Sequence, residues 1–230
     1  MGQGFYASYA RHKGYQTPIL TKKAIGRFDA EIWRPAQFQA GHRVLELGCG
    51  TGMFLAYLAA KGVDDFLGVD HDPNLADHIP QSARPHFRCA DLAALIEEAD
   101  GPHYDRVVML DVLEHFDAER ALALLEGLKA RMAPGAKLVV KVPNAASPWG
   151  SQYQWGDLTH RAAYTPLSLG QLAIAADYRL EAVYDQKQGN RRRRFTDALV
   201  HRILSWALLT PPDYWGANLY AILAPNPSKR

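Results

Sequence analysis

Cysteine is scarce in this sequence: only Cys49 and Cys89 occur. They form neither the CxxC pairs of a zinc site nor the dense pattern of a disulfide-stapled secreted domain, so a reducing cytoplasm is the expected setting. No stretch approaches about 18 uninterrupted apolar residues, which excludes a helical membrane span. Met1 to Lys13 carries Gly, Tyr, Ser and Arg where a signal peptide needs an apolar core, and no export is expected. An excess of one charge is missing too. With 26 Lys and Arg against 24 Asp and Glu, the formal net charge is +2. That balance excludes a general field for nucleic acid or membrane and leaves one local cluster, Arg191 to Arg194. There is no internal repeat, and no low-complexity tract beyond those arginines.

What is present is enough hydrophobic residue, 48% of 230, to bury one sizeable core, and a single domain over 1–230 is expected. Arg43-Val-Leu-Glu-Leu47 and Asp65-Phe-Leu-Gly-Val69 read as strands around a helix-like segment, Gly52 to Lys61, closed by Gly62. A short strand near His86 to Cys89, a helix near Leu92 to Ala99 and an apolar strand from Arg106 to Leu110 continue the alternation. Ala118 to Met132 reads as an amphipathic helix ended by Ala133-Pro134-Gly135, before a buried strand from Lys137 to Val142 that Pro143 stops. Beyond an aperiodic stretch from Asn144 to Pro166 come a helix at Leu167 to Ala176, a strand at Leu180 to Tyr184, a helix from Phe195 to Leu209 and a closing strand from Asn218 to Leu223. Strands separated by helices imply an α/β, doubly wound, mostly parallel sheet of seven strands covered on both faces.

Chemistry concentrates first at Glu46-Leu-Gly-Cys-Gly-Thr-Gly52, which follows a strand and opens a helix. Gly48, Gly50 and Gly52 remove side chains where the backbone must turn tightly and approach a ligand, and the first N–H groups of the helix are free to donate. A dinucleotide fingerprint needs Gly or Ala three positions after Gly50, and Met53 stands there. Asp70, at the end of the second strand, suits the ribose hydroxyls of any adenosine ligand.

Val44 to Gly52, Gly68-Val-Asp70, Cys89-Ala-Asp91-Leu92 and Asp111-Val-Leu-Glu-His115 together resemble class I S-adenosylmethionine-dependent methyltransferases, over roughly residues 40–185. The resemblance implies S-adenosyl-L-methionine as cofactor, S-adenosyl-L-homocysteine as product, and no metal. It implies that Glu46 holds the methionine amino end, that Gly48, Cys49, Gly50 and Gly52 pack against the cofactor, and that Asp70 with His71 meets the ribose. Asp91 and Leu92 then lie at the adenine and Asp111 at the methyl-transfer end. Cys49 needs no catalytic role, and His115 is read as packing at the start of a helix. The domain then divides into a lid at 1–40, a cofactor-binding core at 41–187, and a basic helical insert with the last strand at 188–230.

Within the family, Val142 to Gly150, Asp157 to Arg161 and Tyr164 to Ser168 look like the branch found with bacterial cell-surface polysaccharide biosynthesis. This implies an O or N acceptor on a sugar, sugar nucleotide, phosphate-linked group or glycan; the alternatives are a quinone, lipid or tRNA acceptor, or a cofactor-binding module without catalysis. Tyr6 and Tyr9 of the lid, Asn144, Trp149, Tyr153, Trp155, Arg161 and Tyr164 are the expected acceptor contacts, and Gln152 is a further polar candidate. Packing of the loop is the competing role for the aromatics. His160 is the expected general base, oriented by Asp157 or Glu114. Arg191 to Leu209 joins charge to apolar helix: it can rest on an anionic membrane surface, be solvated, or pack on its own domain or on a second copy in a homodimer.

Overall fold

A computed structural model describes residues 9–97 and 101–227. Seven strands form one sheet: β1 (Val44–Leu47), β2 (Phe66–Asp70), β3 (Phe87–Cys89), β4 (Tyr104–Leu110), β5 (Met132–Pro143), β6 (Tyr178–Asp185) and β7 (Asn218–Pro225). Their order is β3-β2-β1-β4-β5-β7-β6. The first five run parallel, while β7 is antiparallel to both β5 and β6. The last strand therefore inserts between β5 and β6 and leaves β6 on the edge. Its pattern explains this: Leu219, Tyr220, Ala221, Ile222, Leu223 and Ala224 are all buried, as a strand covered on both faces requires.

Helices α1 (Tyr9–Lys13) and α2 (Lys22–Phe28) precede the sheet, and α2 runs into a π-turn at Asp29–Trp33. Crossovers α3 (Met53–Ala60), α4 (Leu92–Glu97), α5 (Ala118–Lys129) and α7 (Pro166–Ala175) cover the faces. The short α6 (Ser151–Gln154) lies in the long loop, and α8 (Arg191–Ala207) precedes β7. The packing is close: a Cβ on Gly68 would meet Leu55 Cδ1 of α3 at 2.4 Å, so any larger residue at that strand position forces the Leu55 side chain to move. Asp117 caps α5 by accepting from Arg120 N at 3.0 Å, and Thr165 with Ser168 forms a capping box on α7.

Two expected boundaries are corrected. The helix starting at Ala118 stops at Lys129, and Met132 already pairs with Tyr104. The Ala133-Pro134-Gly135 signal is thus a bulge inside β5, with Gly135 at φ +77, rather than the turn ahead of it. The four arginines, read as preceding a helix, form its first turn, because Asn190 supplies the N-cap by accepting from Arg193 N at 2.9 Å. Nor does α8 bury an apolar side on its own domain. Phe195, Leu199, Ile203 and Trp206 share one stripe at helical spacing and are 71, 50, 55 and 87% exposed. No helix among the described residues is long and apolar enough to cross a membrane.

The segment before β1 is tied to the sheet at both ends. Arg106 of β4 donates to the carbonyls of Ala36 at 2.8 Å and Gln37 at 2.9 Å. Tyr184 donates to the Glu31 carbonyl at 2.6 Å, and Tyr220 to its carboxylate at 3.1 Å. This holds α2 along the carboxyl ends of the strands, where a parallel sheet binds ligands.

Candidate active site

The expected cofactor residues lie at or just after the carboxyl ends of β1, β2, β3 and β4. Gly48, Gly50 and Gly52 all adopt positive φ, at +69, +51 and +77. A Cβ on Gly48 would lie 2.4 Å from Val112 Cγ2, so conformation and space both demand glycine there. Glu46 is buried, and its Oε2 has no hydrogen-bond partner. Burial, then the neighbouring Asp70, pushes its carboxyl well above the usual carboxylate range. Such a group is poised to meet a cation.

Asp70 accepts from Gly50 N at 2.9 Å and from Asp72 N at 3.2 Å, and exposed His71 places Nδ1 3.5 Å from it. Asp91 accepts from Ala93 N at 2.8 Å and so starts α4, while Leu92 is buried beside it. Cys49 is buried and its thiol pushed far up, first by burial, which leaves it inert. Asp111, at the end of β4 with φ +58, pairs with Lys141 at 2.6 Å. Tyr15, within the segment expected to form a lid, donates to Asp72 at 2.9 Å and brings the chain ahead of α2 against this loop.

Beside Asp111 opens a cavity of about 1150 Å³, lined by α2, the loop after β5 and the start of α8. Seven of its lining residues are Lys or Arg and four are Asp or Glu. Glu114 lies in its wall with no exposed surface, and neither carboxylate oxygen accepts a hydrogen bond. Burial first, then Asp111, raises its pKa to about 8. His115 is lowered to about 4, by burial and then by His160. The two imidazoles meet edge to face with centroids 4.7 Å apart. His160 Nε2 lies 3.9 Å from Glu114, and its Nδ1 is 2.9 Å from the Gln154 carbonyl. That carbonyl can only accept, so Nδ1 carries the proton and Nε2 is the basic atom. The Gln154 carbonyl holds His160 from its Nδ1 side, a role invisible in sequence because a backbone oxygen performs it, while Glu114 stands on its Nε2 side. Burial works to raise Asp157, but hydrogen bonds from Thr159 and Lys13 outweigh it and hold the carboxyl low.

The acceptor contacts expected from sequence are mostly displaced. Tyr153 lines the cavity, as do Gln152 and His160. Asn144 does not: fully buried, it donates to the carbonyls of Tyr214 at 2.9 Å and Gly216 at 3.0 Å and accepts from Ala146 N at 3.1 Å, pinning the loop before β7 to β5. Tyr164 is buried against the Leu113 carbonyl. Trp149 donates to His201 at 2.9 Å and braces α8, while Trp155 is 71% exposed and Arg161 is not among the residues lining the cavity. Tyr6 lies outside the described residues, and Tyr9 opens α1. The cavity's cationic side, Lys23 and Arg27 of α2 with Lys187, Arg191 and Arg194, went unread because these residues are far apart in the chain.

A methyltransferase-domain family model matches residues 21–183. The chain belongs to that family. It is 32% identical over 133 residues to a ribosomal protein L11 methyltransferase of Cupriavidus metallidurans, covering 54% of this chain and 41% of the relative. It is 29% identical over 133 residues to a ubiquinone biosynthesis O-methyltransferase of Cereibacter sphaeroides, covering 54% and 50%. The chain thus spans about half the length of these curated relatives. Its fold matches that of an S-adenosylmethionine-dependent methyltransferase from Archaeoglobus fulgidus, at TM-score 0.67 and 18% identity over 95% of this chain and 99% of that one. It also matches magnesium protoporphyrin IX methyltransferase from Synechocystis with bound S-adenosylhomocysteine, at TM-score 0.60 and 16% identity over 98% and 95%.

Proposed function

We propose that this chain is an S-adenosylmethionine-dependent methyltransferase whose acceptor is a small anionic molecule: a phosphate-bearing sugar, sugar nucleotide or glycan intermediate of cell-surface polysaccharide biosynthesis. Membership of the methyltransferase-domain family supports the reaction. The observation that carries the acceptor class is the cavity's excess of cations, with Lys23 and Arg27 of α2 and Arg191 and Arg194 of the first turn of α8 all in its lining.

The residues present fit the cofactor. The orphaned Glu46 oxygen matches an α-ammonium group, the glycine loop lets the backbone approach, and the lone pairs of Asp70 left over from its two backbone contacts can accept from ribose hydroxyls. When bound, S-adenosylmethionine supplies a methyl group already activated as a sulfonium. What remains for the protein is to orient the acceptor, exclude water and receive a proton. We assign proton removal to the buried cluster in the cavity wall, with His160 Nε2 as the receiving atom. Asp157, fixed by Thr159 and Lys13, stays ionised and keeps that wall negative.

We also propose that the apolar stripe of α8 rests on an anionic membrane surface. Arg191 and Arg202 flank Phe195, Leu199, Ile203 and Trp206, and this combination places aromatic residues among lipid headgroups while the guanidinium groups reach phosphate. Such a position brings the cavity mouth to lipid-linked acceptors. The test is incubation with labelled S-adenosylmethionine and separate pools of sugar nucleotides, lipid-linked glycans and quinones, with mass spectrometry of whatever gains a methyl group. Labelling confined to the quinone pool, or to protein, overturns the acceptor assignment.

A further inference from the structure

We propose that Glu114, His115 and His160 form a binding site for one divalent transition-metal ion, in the wall of the acceptor cavity, with a coordination position open to an oxygen of the acceptor. The ligand atoms of the three side chains all lie within 4.8 Å of one another. Tetrahedral donors bonded to zinc at about 2.0–2.2 Å stand about 3.4 Å apart, so a closure of roughly an ångström completes the site. Two imidazoles and one carboxylate with a free position form the donor set of catalytic, rather than structural, zinc, and it also accepts cobalt or manganese.

Three further observations point to a cation. Both Glu114 oxygens are buried without a hydrogen-bond donor, an arrangement that a positive ion resolves. Each imidazole is held from its far side, as metal-binding histidines are. His160 Nδ1 donates to the Gln154 carbonyl at 2.9 Å. The Thr159 hydroxyl gives its proton to Asp157 at 2.5 Å, so it can only accept from His115 Nδ1, 3.0 Å away. Both Nε2 atoms then carry lone pairs. Finally, the loop bearing His160 is stitched to the turn bearing Glu114: Arg161 N and Ala162 N donate to the Glu114 carbonyl at 2.7 and 3.1 Å. The three ligands therefore keep their relative places before any ion arrives.

An ion here changes the role of His160. Its Nε2 becomes a ligand, and the acceptor hydroxyl, bound at the open position, loses its proton to solvent because the metal lowers its pKa. The binding claim is independent of the methyl-transfer reading; only this consequence rests on it.

The test uses the full chain, stripped with a chelator and dialysed, then titrated with Co²⁺ for visible absorption and with Zn²⁺ by calorimetry. One equivalent of either ion is expected. Glu114→Gln and His160→Ala should each weaken uptake by more than the roughly 10–100-fold that loss of an outer-shell partner costs, with S-adenosylmethionine affinity unchanged. If either variant fails to fold, Thr159→Ala, which releases His115, should still show the 10–100-fold loss. Absence of a Co²⁺ spectrum and of Zn²⁺ heat at millimolar metal overturns the site, as does uptake that survives both ligand substitutions. Metal binding without turnover on any acceptor pool overturns the methyltransferase reading and leaves the site standing.

Discussion

Gly50 N donates to Asp70 Oδ2 at 2.9 Å, so the carboxylate that ends β2 also fixes the glycine loop that follows β1. One side chain thereby shapes the cofactor loop and stands ready for the ribose. Asp70→Ala is expected to weaken S-adenosylmethionine binding by about 1.5–3 kcal/mol, the range for hydrogen bonds to charged groups. Asp70→Asn, which keeps one acceptor oxygen, should recover part of the loss. Calorimetric titration showing wild-type affinity in the alanine variant removes the ribose assignment.

Glu46 makes cofactor binding pH-dependent. In the free protein burial holds its carboxyl pKa well above the unfolded value. Its contribution to stability is therefore fully present below the unfolded pKa and is lost as pH rises through the folded one. An ammonium group beside it favours the ionised form, so binding releases a proton and tightens as pH rises. Calorimetry in buffers of different ionisation enthalpy should detect that release, and Glu46→Gln should abolish it. The same variant, without cofactor, should melt no lower than wild type at neutral pH.

Asn144 was expected to touch the acceptor and instead fastens the chain ahead of β7. Removing its amide strands the carbonyls of Tyr214 and Gly216 and the Ala146 N–H in a buried site. Unsatisfied buried groups cost about 1–3 kcal/mol each. Asn144→Ala should lower the melting temperature and leave KM for the acceptor unchanged in whatever protein stays folded. A raised KM at an unchanged melting temperature returns Asn144 to the acceptor site.

The contrast between Asn144 and Gly48 shows what the sequence exposes. The alternation of strands and helices around the cofactor loop, the glycine loop itself and the acids at 46 and 70 were legible because each depends on residue types at short spacing along the chain. The acceptor side was not. Its cavity is assembled from α2, the loop after β5 and the first turn of α8, and its orienting group for His160 is a backbone carbonyl. Tyr164 and Asn144 lie in the same aperiodic stretch as Tyr153, and only packing separates the buried two from the one that faces the cavity. The apolar stripe of α8 was legible as a helix but not as a bare one, since amphipathic spacing does not say what covers it.

That stripe should confer membrane association. Phe195→Ser with Trp206→Ser, or the four residues Arg191 to Arg194 replaced by Ser, should each reduce co-flotation with vesicles containing anionic lipid. The arginine variant should respond to salt in what remains of its binding, and less so than wild type. Wild-type protein that stays at the bottom of the gradient disposes of the membrane reading and leaves a protein partner for this helix.

The last prediction concerns His160, proposed above to receive the acceptor's proton. Its side chain lines the cavity, and its Nδ1–H is committed to the Gln154 carbonyl. The tautomer is thus fixed with the lone pair of Nε2 on the side of Glu114. A hydroxyl acceptor must lose its proton as oxygen attacks the methyl carbon and the carbon–sulfur bond breaks, and loss of a positioned group of this kind costs about 10²–10⁴-fold in rate. His160→Ala is expected to reduce kcat by that factor with cofactor affinity nearly unchanged, because the residue is in the loop after β5 and touches none of the glycine loop. Its melting temperature should stay close to that of wild type, since the Glu114 carbonyl keeps its two backbone donors, Arg161 and Ala162. Added imidazole offers a direct check: a small base entering the vacated space should restore part of the rate if proton transfer is what was lost. A variant with near-normal kcat, or one whose loss of activity follows a collapsed melting temperature, takes His160 out of the mechanism.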